Sequence, residues 1–121
     1  MKYALLIYDD EQAWGSLDDA TRGSMMEEYG KFSAGLEERG QIRAGEQLAP
    51  TSTATTVRAK DGKTLTTDGP YAETKEQLGG FFLIECDNLD EAIEAAANIP
   101  SAKHGGGVIE VRPVAEDQPH D

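Results

Sequence analysis

The sequence has little of what marks several large classes of protein. It contains one cysteine, Cys86, so an internal disulfide is impossible, and a single cysteine is typical of a reducing compartment. No stretch approaches the ~20 consecutive apolar residues of a membrane span. Lysine and arginine number only 11 against 23 acidic residues and are scattered, which argues against nucleic acid or an anionic membrane as a partner.

The chain has 121 residues and a formal charge of -12, and this length fits one domain. The apolar run near the N-terminus, residues 3–8, is too short for a signal sequence, and acidic residues follow it at once. We therefore expect a cytoplasmic protein. Its domain would cover residues 1–114, and residues 115–121 would form a polar tail.

Hydrophobic periodicity predicts the first two elements. Residues 3–8 read as a strand that is apolar on both faces. Residues 18–39 read as a helix capped by Ser16 or Asp18 and ended by Gly40. Its predicted core stripe has helical spacing and consists of Met25, Tyr29, Phe32 and Leu36.

The sequence pattern in the middle of the chain predicts strands. Residues 41–48 form a weak strand, and residues 53–59 and 63–67 form a partly exposed hairpin around Asp61-Gly62. A buried strand follows at residues 81–86 and includes Cys86, which we interpret as a structural thiol.

The last third predicts a second helix and a closing strand. Asn88 and Glu91 have the spacing of a capping box. The predicted apolar stripe of this helix is Leu89, Ile93, Ala96 and Ala97, and Pro100 would end it. The final strand is residues 108–114.

The order β-α-β-(hairpin)-β-α-β predicts an α+β domain on the ferredoxin-like βαββαβ plan with an extra hairpin. Two helices can cover only one face of its antiparallel sheet, yet the strands are apolar on both faces. We therefore predict that the open faces of two copies pack together as a homodimer. The alternative is a monomer whose loops fold over that face.

The polar segment 68–80 is the first candidate site. Glu73, Lys75, Glu76 and Gln77 place two acids, an amine and an amide close together, and a carboxylate beside a pocket can act as a general base. The structural alternative is a turn at Asp68 followed by a solvated helical turn, with Asp68 as a cap.

Further candidates lie on the strands. Arg112 could bind a substrate carboxylate, or it could pair with Glu110. Glu46 is a possible second carboxylate, and Tyr8 and Tyr71 could supply hydroxyls or simply pack. A lone loop histidine such as His104 is usually exposed, His120 lies in the tail, and no residue cluster predicts a metal site.

One long motif then identifies a family. Residues 68–82 read DGPYAETKEQLGGFF, which resembles the signature of the DGPF branch of the YCII-related family, with Tyr71 in place of the phenylalanine that gives the branch its name. The opening strand, Ala44-Gly45-Glu46, residues 54–58 and residues 109–114 resemble the branch as well, so the likeness covers nearly the whole chain.

The resemblance implies a dimeric α/β barrel and an uncharacterised bacterial protein. Some relatives are thought to be enzymes with a His-Asp pair, and others are associated with extracytoplasmic-function sigma factors. Here the first helix has no histidine: Met25, Met26 and Tyr29 stand where it would be sought. A His-Asp mechanism is therefore not carried over.

Two functional hypotheses follow. The first is an acid/base enzyme of isomerase or lyase type, with no cofactor, that acts on a small oxygenated molecule. Its catalytic residues would be Glu73, Glu76 and Glu46, and its ligand-binding residues Asp68, Tyr71, Lys75, Gln77, Arg112 and Tyr8. The second is a non-catalytic ligand-binding or accessory protein with a regulatory protein as its partner.

Overall fold

The computed structural model describes residues 1–115 and has ten regular elements. In chain order these are β1 (Lys2–Asp9), α1 (Glu11–Gly15), α2 (Asp19–Glu38), β2 (Ile42–Gln47), β3 (Thr55–Lys60), β4 (Lys63–Asp68), β5 (Gln77–Glu85), α3 (Leu89–Ala97), α4 (Pro100–Lys103) and β6 (Val108–Pro113). A 3-10 turn at Thr51–Thr53 precedes β3. Within the described part of the chain, no helix is both long and apolar enough to cross a bilayer.

Four strands form one sheet in the order β2-β5-β1-β6, and every neighbouring pair is antiparallel. The strands β3 and β4 form a separate two-stranded sheet. The predicted α+β class and antiparallel sheet are therefore confirmed. His120 and most of the predicted tail lie outside the described residues.

One face of the sheet, which we call the helix face, carries the core. Tyr3, Leu5 and Ile7 alternate along β1 and are 2%, 0% and 5% exposed. Leu36 of α2 is fully buried in the same cluster, and Phe32 packs edge-on against Phe82 of β5 with ring centroids 5.1 Å apart. Burying each large apolar side chain contributes about 2 kcal/mol, so this face holds the fold together.

The other face, which we call the open face, presents the alternate residues of the same strands. Leu6 of β1 lies between Phe81 on β5 and Glu110 on β6, and Ala4 lies between Leu83 and Arg112. These apolar side chains are only partly buried, because α2 and α3 both pack on the helix face.

The helix ends follow local chemistry. The Asp18 carboxylate accepts the Thr21 backbone N–H at 2.7 Å, and Asn88 accepts that of Glu91 at 2.9 Å. Gly40 adopts a positive φ of 68° just after α2, which a side chain would disfavour. These caps confirm the predicted starts of both long helices and the stop at Gly40.

The predicted apolar stripe of α3 is confirmed at Ala96 and wrong at Leu89, Ile93 and Ala97, which are exposed. The buried residues of α3 are Ala92, Ala95 and Ala96, while Leu89 and Ile93 are 47% and 49% exposed. Small side chains let the helix lie close to the sheet, and this turns the larger residues outward. Pro100 does not end α3, which stops at Ala97; it begins α4 instead, where its missing N–H costs nothing.

The segment between the hairpin and β5 is also not as predicted. Residues 69–76 form no helical turn, and β5 begins at Gln77 rather than at residue 81. Gly80 lies inside this strand. The position requires glycine because a Cβ there would sit 2.8 Å from the Glu46 carbonyl oxygen of β2. The predicted hairpin itself is confirmed, with positive φ at both Asp61 and Gly62.

Cys86 is buried at the end of β5, as predicted. Its thiol donates to the Asn88 carbonyl at 3.4 Å, and burial raises its pKa. A thiol in this state is a poor nucleophile, which agrees with a structural role.

Candidate functional site

An acidic side chain ends the buried row of β1. Asp9 follows Tyr3, Leu5 and Ile7 in the alternation, so it points to the helix face at the end of the sheet. Tyr29 of α2 and Ser101 of α4 lie beside it, and Gly107 leads into β6. We call these four residues the Asp9 cluster.

Asp9 and Ser101 pack closely against Gly107. A Cβ on Gly107 would lie 2.6 Å from Ser101 Oγ and 2.7 Å from Asp9 Oδ1, so only glycine fits there. Ser101 is just 8% exposed, and its hydroxyl lies beside the Asp9 carboxyl and the Tyr29 phenol, both of which it influences.

Burial controls the protonation of this cluster. It raises the pKa of the Asp9 carboxyl, and the nearby Glu76 carboxylate raises it further, while Ser101 partly offsets the shift. Burial also raises the pKa of the Tyr29 phenol, with a smaller contribution from Asp9. A carboxylate that is disfavoured in its charged form is a stronger base than one in open water.

A contact between Glu28 and His104 links the helices that carry Tyr29 and Ser101. Glu28 precedes Tyr29 on α2, and its carboxylate lies 2.6 Å from Nε2 of His104, the residue that follows α4. The loop histidine is exposed, as expected, and its ring also makes a hydrogen bond with Glu28.

An open cavity of about 440 Å³, which we call the end cavity, lies at the same end of the sheet. Its lining consists of Asp10, Glu11, Gln12, Thr51, Thr74, Lys75 and Gln77. Glu11 accepts hydrogen bonds from the Thr51 backbone N–H at 2.8 Å and hydroxyl at 2.7 Å, which tie α1 to the 3-10 turn.

Two predicted ligand-binding residues, Lys75 and Gln77, line this cavity. Gln77 pairs with Asp9 across the two central strands, so the end cavity and the Asp9 cluster are neighbours. Lys75 makes no hydrogen bond or ion pair with any residue of the described chain, which leaves its ammonium group available to a ligand.

Two other predicted residues meet on the open face. The Tyr8 hydroxyl donates to Glu110 at 3.3 Å, and Arg112 donates to the second oxygen of Glu110 at 2.7 Å. Arg112 and Tyr8 hold the pKa of Glu110 low, and burial and Glu110 raise the pKa of Tyr8. The alternative that Arg112 pairs with Glu110 is thus the one observed.

Of the remaining predicted residues, Glu76 is close enough to the Asp9 cluster to raise the pKa of Asp9, and the others do not join a single site. Glu46 lies on the open face of the edge strand β2, three strand spacings or about 14 Å from Glu110. Glu73 and Glu76 are exposed, and Tyr71 is 83% exposed near Tyr8. The Asp68 carboxylate accepts no hydrogen bond from residues 1–115, so the predicted cap is absent.

Asp9 and Ser101 are not among the residues predicted from the sequence, and Tyr29 was predicted only as a core residue. A signal for Asp9 was present, because an acid occupies a position in register with the buried row of β1. No local pattern marks Ser101, whose importance comes from the packing of α4 against the strand ends.

Comparison with known proteins agrees with the sequence motif. The family model of the YCII-related domain matches residues 1–117. An uncharacterised protein of Rhizobium meliloti strain 1021 is 40% identical over 122 residues, which cover 98% of this chain and 96% of that protein. The chain belongs to the YCII-related domain family.

Proposed function

We propose that the protein is an acid/base enzyme that needs no cofactor and transfers a proton on a small oxygenated molecule, with Asp9 as the base. The observation that carries this proposal is the partly buried Asp9 carboxyl, which lies beside the buried Ser101 hydroxyl and whose pKa is raised by burial. The hydroxyl would hold a substrate oxygen while the carboxylate removes a proton from the adjacent carbon.

The geometry favours Asp9 over the acids predicted from the sequence. Glu46, Glu73 and Glu76 are exposed on the surface. Asp9 is partly buried beneath α2 and α4, where desolvation strengthens it as a base. Lys75 and Gln77 in the end cavity would bind the polar groups of the substrate that lie farther from the reacting carbon.

The first experiment measures proton exchange. Lactones and hydroxymuconate-type compounds are incubated in deuterated water with protein, and the loss of carbon-bound hydrogen is followed by NMR. We expect Asp9→Asn to slow exchange about 100-fold or more and the matched control Glu73→Gln to leave it unchanged. Equal rates for Asp9→Asn and wild type would exclude Asp9. Binding of a compound without exchange would favour the ligand-binding alternative.

We further propose that two copies pair through their open faces, as in the dimeric α/β barrel that the resemblance implies, with each copy on the ferredoxin-like plan. The support is the partly buried apolar row of Leu6, Phe81 and Leu83, which no long helix covers. Sedimentation at micromolar concentration should give twice the 13.1 kDa chain mass, and Leu6→Glu should give a folded monomer. A wild-type mass near 13.1 kDa would contradict the dimer.

A further inference from the structure

We propose that the β3–β4 hairpin is an arm that docks on the acidic surface of a second copy of this chain. The docking face is the side of the hairpin that presents Arg58, Lys60, Lys63 and Leu65. This proposal goes beyond the acid/base activity and does not depend on it. It rests on the proposed dimer to the extent that it requires a second copy of the chain.

The hairpin stands away from the rest of the molecule. All six residues of β4 are exposed, and in β3 only Thr56 is partly buried. Val57 is 62% exposed and Leu65 is 48% exposed. An isolated two-stranded hairpin is at best marginally stable in water, so this one needs a surface to pack against.

Two hydrogen bonds close the base of the hairpin by joining its own two ends. The Gly69 backbone N–H donates to the Ala54 carbonyl at 2.7 Å, and the Thr56 hydroxyl donates to the Gly69 carbonyl at 2.8 Å. Six residues of strand beyond that base extend roughly 20 Å. This reach is enough to contact a neighbouring chain.

The charge of the hairpin is opposite to that of the body. Residues 55–68 hold three basic and two acidic residues, a formal charge of +1, so the remaining residues carry -13 to make the -12 of the whole chain. Alternation places Arg58 and Lys60 on one side of β3, and Lys63 lies directly opposite Lys60. Like charges directly opposite one another are destabilising unless an anion lies between or above them.

None of these three cations is neutralised within the described part of the chain. Arg58, Lys60 and Lys63 form no ion pair or side-chain hydrogen bond with residues 1–115. An acidic surface is the complement of this face. The body of a second copy supplies such a surface at the same concentration as the hairpin itself, which is why we assign it as the partner.

Zero-length carbodiimide cross-linking tests the contact directly, because it joins lysines only to carboxylates that touch them. Unlabelled and isotopically heavy chains are mixed, cross-linked and digested, and mass spectrometry separates links between copies from links within one. We expect Lys60 and Lys63 to link to acids of the other copy at low salt. These links should fade at about 1 M salt, where the screening length falls to about 3 Å.

Charge reversal supplies a matched measurement. Arg58→Glu with Lys60→Glu and, as control, Lys31→Glu with Lys103→Glu change the net charge equally, and both control lysines are exposed on helices. We expect the hairpin variant to raise the dimer dissociation constant about 10-fold or more at low salt, and the control less than about 3-fold. Leu6→Glu, which targets the open face, separately reports the sheet-to-sheet dimer.

Three outcomes would overturn the proposal. The first is that Lys60 and Lys63 link only within their own chain, whether to the body or to residues 116–121. The second is that the hairpin variant and its control have equal dissociation constants. That result would contradict the hairpin contact without contradicting the proposed open-face dimer. The third is that the hairpin retains an oligonucleotide or anionic vesicles while no links form between copies.

Discussion

The two faces of the four-stranded sheet are built by the same strands, but one face is buried under helices and the other is not. On β1, Tyr3, Leu5 and Ile7 are buried under α2 and α3, whereas their neighbours Ala4, Leu6 and Tyr8 lie on a face that neither helix covers. The helix face ends in the Asp9 cluster, and the open face ends in the Tyr8–Glu110–Arg112 cluster.

The difference shows how burial changes the chemistry of a polar group. Asp9, on the helix face, has a carboxyl whose pKa is raised by desolvation. Glu110, on the open face, has a carboxyl whose pKa is lowered because Arg112 donates to it. One carboxylate is prepared to accept a proton, and the other is held in its charged form by a partner.

The largest expected effect compares two leucines that are adjacent in sequence. Leu5→Ala removes a fully buried side chain and should lower the free energy of unfolding by about 3 kcal/mol. Leu6→Ala should lower it by about 1 kcal/mol or less when measured on dilute monomer. Urea denaturation at low and high protein concentration checks this. Equal losses on dilute protein would mean that the open face is as well packed as the helix face.

The next effect concerns the close approach of β2 to the core. A Cβ on Gly45 would lie 2.8 Å from the Phe82 ring, so Gly45→Ala should destabilise the protein by about 1–3 kcal/mol. Gly30→Ala is the control, because a Cβ there meets nothing within 4 Å and alanine favours a helix by about 1 kcal/mol. Thermal unfolding should move in opposite directions for the two variants.

The third prediction uses pH to separate the faces. The folded-state pKa of Asp9 is raised, so the folded protein binds more protons than the unfolded chain between the two pKa values. The contribution of Asp9 to stability is therefore greatest below the unfolded pKa and is lost as pH rises through the folded pKa. Asp9→Asn should be more stable than wild type at neutral pH.

Urea denaturation across about pH 4 to 8 measures this contribution. The Asp9→Asn curve should lack the decline that the carboxyl causes in wild type. Glu46→Gln, on the open face, is the matched control and should keep the wild-type slope. An unchanged slope in Asp9→Asn would show that the carboxyl is solvated in solution.

The smallest effect is a shift of single tyrosine pKa values, followed by NMR of labelled tyrosine. Glu110→Gln should lower the pKa of Tyr8, because the Glu110 carboxylate raises it, and should leave Tyr29 on the other face unchanged. Asp9→Asn should do the reverse, lowering the pKa of Tyr29 alone. If both variants shifted both tyrosines, the two clusters would not be independent.

Much of the fold could be predicted from local pattern. Alternating apolar residues in β1, the Asp61-Gly62 turn and the caps at Asp18 and Asn88 each specify structure over a few residues. The predicted apolar stripe of α3 was mostly wrong. Periodicity shows that a helix has an apolar side, but Leu89 and Ala92 are both apolar and point to different sides, so periodicity does not say which of them is buried. Only the fit of alanines against the sheet chooses between them.

The candidate site was predicted less well. Residues 68–80 drew attention to Lys75 and Gln77, which do line the end cavity, but Glu46, Glu73 and Tyr71 lie elsewhere on the surface. The members of the Asp9 cluster come from positions 9, 29, 101 and 107, and no spacing rule connects residues so far apart.

The sequence by itself determined the strands, the two long helices, the hairpin and the family, because each depends on contiguous residues and on local hydrogen bonding. The tertiary structure decided which carboxylate is desolvated, which hydroxyl lies beside it and which face stays uncovered. Those properties depend on burial, and burial is set by residues that meet only after the β1, α2 and α4 segments have packed together.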